Sequence, residues 1–112
     1  MDTTLRQQLL KQSIAIIGQA RPLIEAIGRK DRELESQLRR SLSSVSLNVA
    51  EGFGAHAGNA RLRFRTALAS LYESQAALQV AAAWGYVEPP AAQSVVVALE
   101  AFGGRLYGLS RR

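Results

Sequence analysis

The side chains that could act as acids, bases or metal ligands are few in this sequence, and their spacing fits no catalytic triad or metal site. His56 is the only histidine, and the 112 residues contain no cysteine, which excludes a cysteine nucleophile, a thiolate zinc site and disulfide bonds. Glu51 and Glu73 could form the carboxylate pair of a small hydrolase, but glutamates near arginines more often form ion pairs. GFGAHAG lacks the lysine and the serine or threonine of a phosphate-binding loop. We therefore expect no enzyme activity, no metal and no cofactor.

The basic side chains of the sequence favour the binding of an acidic partner over catalysis. Fourteen Lys and Arg outnumber nine Asp and Glu, and the formal net charge of +5 favours acidic partners such as nucleic acid. The expected contacts for RNA, DNA or a nucleic-acid-handling protein are Arg39, Arg40, Arg61, Arg63, Arg65, Arg111 and Arg112. In the alternative interpretation, the arginines serve subunit contacts. A glutamate then pairs with an arginine: either Glu51 pairs near Arg40, or Glu73 faces an arginine of a neighbouring copy. Aromatic residues are not interleaved with the arginines, so we expect no stacking on single strands.

Helical periodicity covers nearly all of the chain, and alternation typical of strands is absent. The pattern predicts a first helix over residues 3–28, a second from the N-cap Asp31 to about Glu51, a third from the N-cap Asn59 to Trp84, and a fourth from Pro89. The glycines at positions 52, 54 and 58 predict a loop between the second and third helices, with His56 facing solvent. Short connections then predict an all-α fold, an up-and-down antiparallel four-helix bundle, as one domain over residues 1–112.

The third helix is apolar on more than the face that a single bundle can bury. Its main apolar side includes Phe64, Leu68 and Leu71, while the reverse side also carries apolar residues. Because a bundle of this size covers only one side, the other is expected to meet a second copy of the chain. The predicted subunit interface consists of Leu62, Ala69, Glu73, Ala76 and Val80.

Several stretches between residues 37 and 87 resemble one known family. QLRRSLSSVSLNVAEGFG, followed by RFRTALASLYESQAAL and AAAWGYV, is similar to the four-helix bundle proteins encoded in 23S rRNA intervening sequences. A related branch is the accessory variability determinant of diversity-generating retroelements. The motif residues of this resemblance include Asn48, Glu51 and Gly52. The family usually has proline where Leu47 stands and more basic residues after Gly52, so a straighter second helix and a poorer anion contact at the loop are expected.

The resemblance implies an assembly and a class of partner. Members of the family are antiparallel bundles that form ring-like homo-pentamers without known enzymatic chemistry. In the retroelement branch, a basic surface engages nucleic acid and a reverse transcriptase. For this chain the resemblance therefore implies self-association, and a nucleic acid or nucleic-acid enzyme as partner.

No stretch approaches the roughly 20 apolar residues that cross a bilayer, and the first residues lack the pattern of a secretion signal. We therefore expect a soluble, cytoplasmic protein without a membrane partner.

Overall fold

The computed structural model describes residues 3–111, and these residues form four helices and no strand. The helices are α1 (Thr3–Gly28), α2 (Arg32–Gly54), α3 (Ala57–Ala83) and α4 (Pro89–Ser110). Each helix packs on its neighbours in chain order, and α4 packs back on α1. The result is an up-and-down antiparallel four-helix bundle measuring 42 × 21 × 18 Å, as the periodicity predicts.

The core follows the apolar seams of the sequence. One row of apolar residues at helical spacing is buried along each of α2 and α4: Leu34, Leu38, Leu42, Val45 and Val49 on α2, and Val95, Leu99, Phe102, Leu106 and Leu109 on α4. Phe64, Leu68 and Leu71 of α3 complete this core. Ile14 of α1 lies outside it, with 53% of its surface exposed.

Two helix ends form as the sequence predicts. The Asp31 side chain caps α2 by accepting a hydrogen bond from the Leu34 amide at 3.0 Å. Gly85 follows α3 with a φ of 80°, a conformation that side-chain-bearing residues rarely adopt. The Gly85 amide donates to the carbonyl oxygen of Ala82, and the Tyr86 amide donates to that of Ala81. These two bonds end the helix in a Schellman motif.

The connection between α2 and α3 is shorter than the glycines indicate. The prediction that α2 ends near Glu51 is wrong, because the helix continues to Gly54. The prediction of Asn59 as an N-cap is also wrong: α3 begins at Ala57, and His56 occupies the cap position without a side-chain cap bond. Only residues 55 and 56 separate the helices. His56 is exposed in this connection, as expected.

Serine hydroxyls fix the relative heights of three helices. Ser13 of α1 and Ser46 of α2 lie 2.8 Å apart. Ser74 of α3 donates to Ser41 of α2 at 2.8 Å. The hydroxyls of Ser44 and Ser70, near the middles of α2 and α3, are also 2.8 Å apart. Since the side chains on both sides are short, the backbones of α2 and α3 approach closely.

Candidate interaction surfaces

Positive charge is concentrated in one half of the bundle. The half that contains the α2–α3 connection comprises residues 3–15, 43–70 and 100–111, and we call it the basic half. This half contains only two acidic residues, Glu51 and Glu100. It contains seven basic residues: Arg6, Lys11, Arg61, Arg63, Arg65, Arg105 and Arg111. The other half has six basic and six acidic residues, so we call it the balanced half. The net charge of the described residues therefore belongs to the basic half.

The predicted arginine contacts divide between the two halves. Arg39 and Arg40 lie in the balanced half, and Arg39 stands 3.9 Å from Glu35. They line an open groove between α2 and α3, and Arg63 lines the same groove from the basic half. The structure thus brings these three arginines to one groove although they are far apart in sequence.

The other predicted arginines lie outside that groove. Arg65 is exposed on α3, and Arg61 is half-buried one turn earlier. The Arg111 guanidinium lies 5.4 Å from the centre of the Tyr107 ring, where the ring face attracts a cation. Arg112 is outside the described residues.

Glu51 is paired across the two central helices. Its Oε2 lies 3.2 Å from Nε of Arg63. The expectation that Glu51 pairs near Arg40 is therefore wrong, since Arg63 of α3 stands opposite the last turns of α2. Both partners are about half exposed, so the pair adds little to stability. Its geometric effect is to hold an arginine at one end of the groove.

Asn48 and Gly52 of the family-like motif serve the α2–α3 contact. The Asn48 amide donates to the carbonyl and hydroxyl oxygens of Ser44, at 2.9 and 3.0 Å. Gly52 faces Phe64, whose ring would lie 2.5 Å from a Cβ at that position. The Phe64 ring also meets Phe53 edge-on, with ring centres 5.2 Å apart. These two motif residues therefore have structural explanations.

The outward side of α3 carries the predicted interface residues on one exposed face. Leu62 and Val80 are 54% and 44% exposed, and Ala69, Glu73 and Ala76 are exposed between them. The predicted second apolar face of α3 is thus uncovered in a single copy. The structure adds Leu47 of α2, at 62% exposure the most open leucine of the described chain.

Trp84 and Tyr86 form a feature that the sequence did not reveal. Their rings stack with centres 6.4 Å apart, and Trp84 is 70% exposed. The Tyr86 hydroxyl donates to Oδ2 of Asp31 at 3.3 Å. Desolvation, with the nearby Asp31 carboxylate and this hydrogen bond, raises the pKa of Tyr86 above its ordinary value. The contact ties the α3–α4 connection to the start of α2.

The described residues hold no group of three or more His, Cys, Asp or Glu side chains placed to bind a metal ion. His56 stands alone at the α2–α3 connection, and Glu51 is engaged by Arg63. Among residues 3–111, no helix is long and apolar enough to pass through a bilayer.

A basic four-helix bundle with a closely packed α2–α3 pair defines the structural class, and the family follows from comparison. The model of the 23S rRNA-intervening sequence protein family matches residues 6–108. The chain belongs to this family, as its sequence resemblance predicts.

A solved structure supports the same fold. The chain is similar to a protein of unknown function from the S23 ribosomal protein family of Bacteroides thetaiotaomicron, with a TM-score of 0.78 and 16% identity. The match covers 96% of this chain and 98% of the other. No curated protein sequence matches this chain significantly. Neither the family nor this neighbour indicates an enzymatic activity.

Proposed function

We propose that this protein is a non-enzymatic assembly protein. Copies of the chain form a homo-oligomeric ring, with the pentamer of the family resemblance as the expected size. The ring contacts RNA, DNA or a nucleic-acid-handling protein, such as a reverse transcriptase, through its basic half.

The exposed face of α3 is the observation that carries the assembly. Leu62 and Val80 expose about half of their surfaces, and small residues, Ala69 and Ala76, lie between them. Large apolar side chains exposed along one face of a helix are typical of an interaction site. Small residues at the centre of the face allow another helix to approach closely.

The charge distribution supports an acidic partner. If the bundles of a cyclic ring stand parallel to its axis, all copies point the same way, and the basic halves lie on one rim. A rim with one sign of charge attracts polyanions over a distance and raises their association rate. Arg61, Arg63, Arg65 and Arg111 belong to this half, whereas Arg39 and Arg40 belong to the balanced half.

The first experiment measures the mass of the purified chain in solution. The wild-type chain is expected as an oligomer, and Leu62→Asp and Val80→Asp as smaller species that keep their helical circular dichroism. Ile14→Asp is the matched control for Leu62→Asp, because Ile14 is about as exposed as Leu62 but lies on a different helix, α1. A stable wild-type monomer would refute the ring.

The second experiment measures binding to mixed-sequence RNA and DNA as salt increases. Binding at about 50 mM salt should weaken steeply, since each phosphate contact releases counterions. Lys11→Glu with Arg111→Glu reverses two charges of the basic half and should weaken binding and flatten the salt dependence. Arg29→Glu with Arg32→Glu makes the same change of net charge in the balanced half and should have less effect. No binding at low salt, or equal losses in both double variants, would refute a nucleic-acid site in the basic half.

A second candidate is a protein-interaction module whose arginines serve only subunit contacts. The ion pair of Arg63 with Glu51 favours it, because one predicted nucleic-acid contact is already engaged by a carboxylate. In that case the wild-type chain should bind no nucleic acid even at low salt, and charge reversal at Arg61 or Arg65 should affect the oligomer alone.

A further inference from the structure

Resting on the proposed ring, we propose which face receives the outward face of α3: it docks on the outward face of α2 of the next copy. The receiving face consists of Arg40, Ser43, Leu47 and Glu51, all of them exposed on one side of α2. The occupant is a second copy of this chain, so each copy contributes α3 to one neighbour and α2 to the other.

Charges on the two faces are opposite in sign and lie at the same heights along the bundle. The middle residue of α2 is Ser43 and that of α3 is Ser70. The hydroxyls of Ser44 and Ser70 are 2.8 Å apart, so the middles of the two helices lie at the same height along the bundle axis. Glu73 lies three residues from Ser70 toward the balanced half, and Arg40 lies three residues from Ser43 in the same direction. When two copies stand side by side, Glu73 therefore faces Arg40 of the neighbour. Neither side chain forms an ion pair among residues 3–111.

A second pair matches in the basic half. Arg65 lies five residues from the middle of α3, and Glu51 lies eight residues from the middle of α2, both toward the α2–α3 connection. At a rise of about 1.5 Å per residue, their heights differ by about 4.5 Å, less than one helical turn. Glu51 contacts Arg63 through Oε2, so its other oxygen can accept from Arg65 of the neighbour.

Apolar and small residues fit between these charged pairs. Ala69 of α3 is level with Ser43 of α2 to within one residue, so two small side chains meet at the centre, where helices must approach closely. Leu47 lies at a height between those of Leu62 and Ala69. Docking would cover Leu47, which is 62% exposed and has no covering partner in a single copy.

The positions of the two faces permit a closed ring. Neighbouring helices of a square bundle face outward in directions about 90° apart. Two contact faces of one copy must be about 90° apart for a ring of four and about 108° apart for a ring of five. Faces on α3 and α1, which lie diagonally opposite, would instead produce an open filament. The outward face of α4 also neighbours α3, but its described residues place no basic side chain level with Glu73.

Disulfide trapping tests this docking, because the chain has no cysteine of its own. A chain carrying both Ala69→Cys and Ser43→Cys should form, on mild oxidation, a ladder of covalent species up to the size of the native oligomer. Ala69→Cys alone should form no cross-link. Ala69→Cys combined with Ala101→Cys, on the outward face of α4, is the matched control and should also remain unlinked.

The outcomes separate this docking from the ring itself. A wild-type monomer would remove both. An oligomer in which Ala69→Cys alone yields a covalent dimer would overturn the docking in favour of a two-fold α3–α3 contact. Cross-linked species from Ala69→Cys with Ala101→Cys would also overturn the docking on α2. The absence of cross-linked species from Ala69→Cys with Ser43→Cys would overturn it as well, and in both cases the oligomer itself would stand.

Charge exchange gives an independent measurement. Glu73→Arg should raise the concentration at which the oligomer dissociates by about tenfold or more, because it places like charges opposite each other. Adding Arg40→Glu should restore most of that loss, whereas adding Arg21→Glu, an exposed arginine on α1, should not. Failure of the first rescue, or equal rescue by both, would contradict the pairing of Glu73 with Arg40.

Discussion

Gly52→Ala tests the closeness of α2 and α3 directly. Alanine in place of glycine favours a helix by about 0.5–1 kcal/mol. At position 52, however, the new Cβ would lie 2.5, 2.7 and 2.8 Å from three carbons of the Phe64 ring. That ring is 2% exposed and packed against Phe53, so it cannot move away freely. Overpacking of this kind costs about 1–3 kcal/mol, and the expected net effect is a loss of about 1 kcal/mol.

The assay is thermal unfolding followed by far-ultraviolet circular dichroism at one protein concentration. A loss of 1 kcal/mol should lower Tm by about 4–8 °C for a domain near this size. Gly54→Ala is the control, because it lies two residues away in the same helix and a Cβ there meets nothing within 4 Å. It should leave Tm unchanged or raise it.

Two results would refute this reasoning. One is a Gly52→Ala variant at least as stable as the wild type, which would mean that Phe64 yields without cost. The other is an equal effect of the alanine in a Phe64→Leu background, where a smaller side chain should relieve the clash. The double-mutant cycle should instead give a coupling of about 1 kcal/mol.

Three further predictions concern the core and the α3–α4 connection. Ser74→Ala should lower the free energy of unfolding by about 1 kcal/mol in urea denaturation, because it removes the buried hydrogen bond to Ser41; a loss no larger than that of an exposed serine would contradict this. The pKa of Tyr86 is raised in the folded chain, so its stabilising effect is present below its ordinary pKa of 10.0 and is lost as the pH rises through the folded value. Tyr86→Phe should weaken this alkaline loss of stability, and an unchanged pH dependence would exclude it. Phe102→Ala should cost about 3–5 kcal/mol in the same denaturation assay, since Phe102 is fully buried, and a cost below about 1 kcal/mol would mean that the cavity collapses.

The sequence predicted the fold well where periodicity and capping act together. Along α2 and α4, one row of apolar residues recurs at helical spacing, and this row is buried in both helices. Asp31 and Gly85 mark helix ends through side-chain and backbone geometry that depend on a few adjacent residues. Signals of this kind are local, so one sequence suffices to locate them.

The wrong end predicted for α2 arose at a glycine that is required by tertiary packing and not by a turn. Gly52 resembles a helix terminator in the sequence, but in the fold it makes room for Phe64, twelve residues later. Residues 52–54 of the predicted loop are therefore the last residues of α2. The start of α3 at Ala57, with His56 instead of Asn59 as the N-cap, has no such explanation in a neighbouring side chain. No local pattern distinguishes a glycine that ends a helix from one that admits a neighbouring ring.

The interaction surfaces were predictable in part. The outward residues of α3 followed from helical spacing alone, and all five are exposed. The pairing of Glu51 with Arg63 depends on the register of α2 against α3 and on the two-residue connection, neither of which the sequence specified. The concentration of charge in one half also required the antiparallel order of all four helices.

Trp84 makes the chain its own fluorescent probe. It is the only tryptophan, and 70% of its surface already faces water, so its emission should shift little when the protein is denatured. Anything that settles over the end of α3 would instead remove water from the indole and move its emission to shorter wavelengths. A blue shift on concentrating the protein, or on adding a partner, would thus report contact at this end of the molecule without any label.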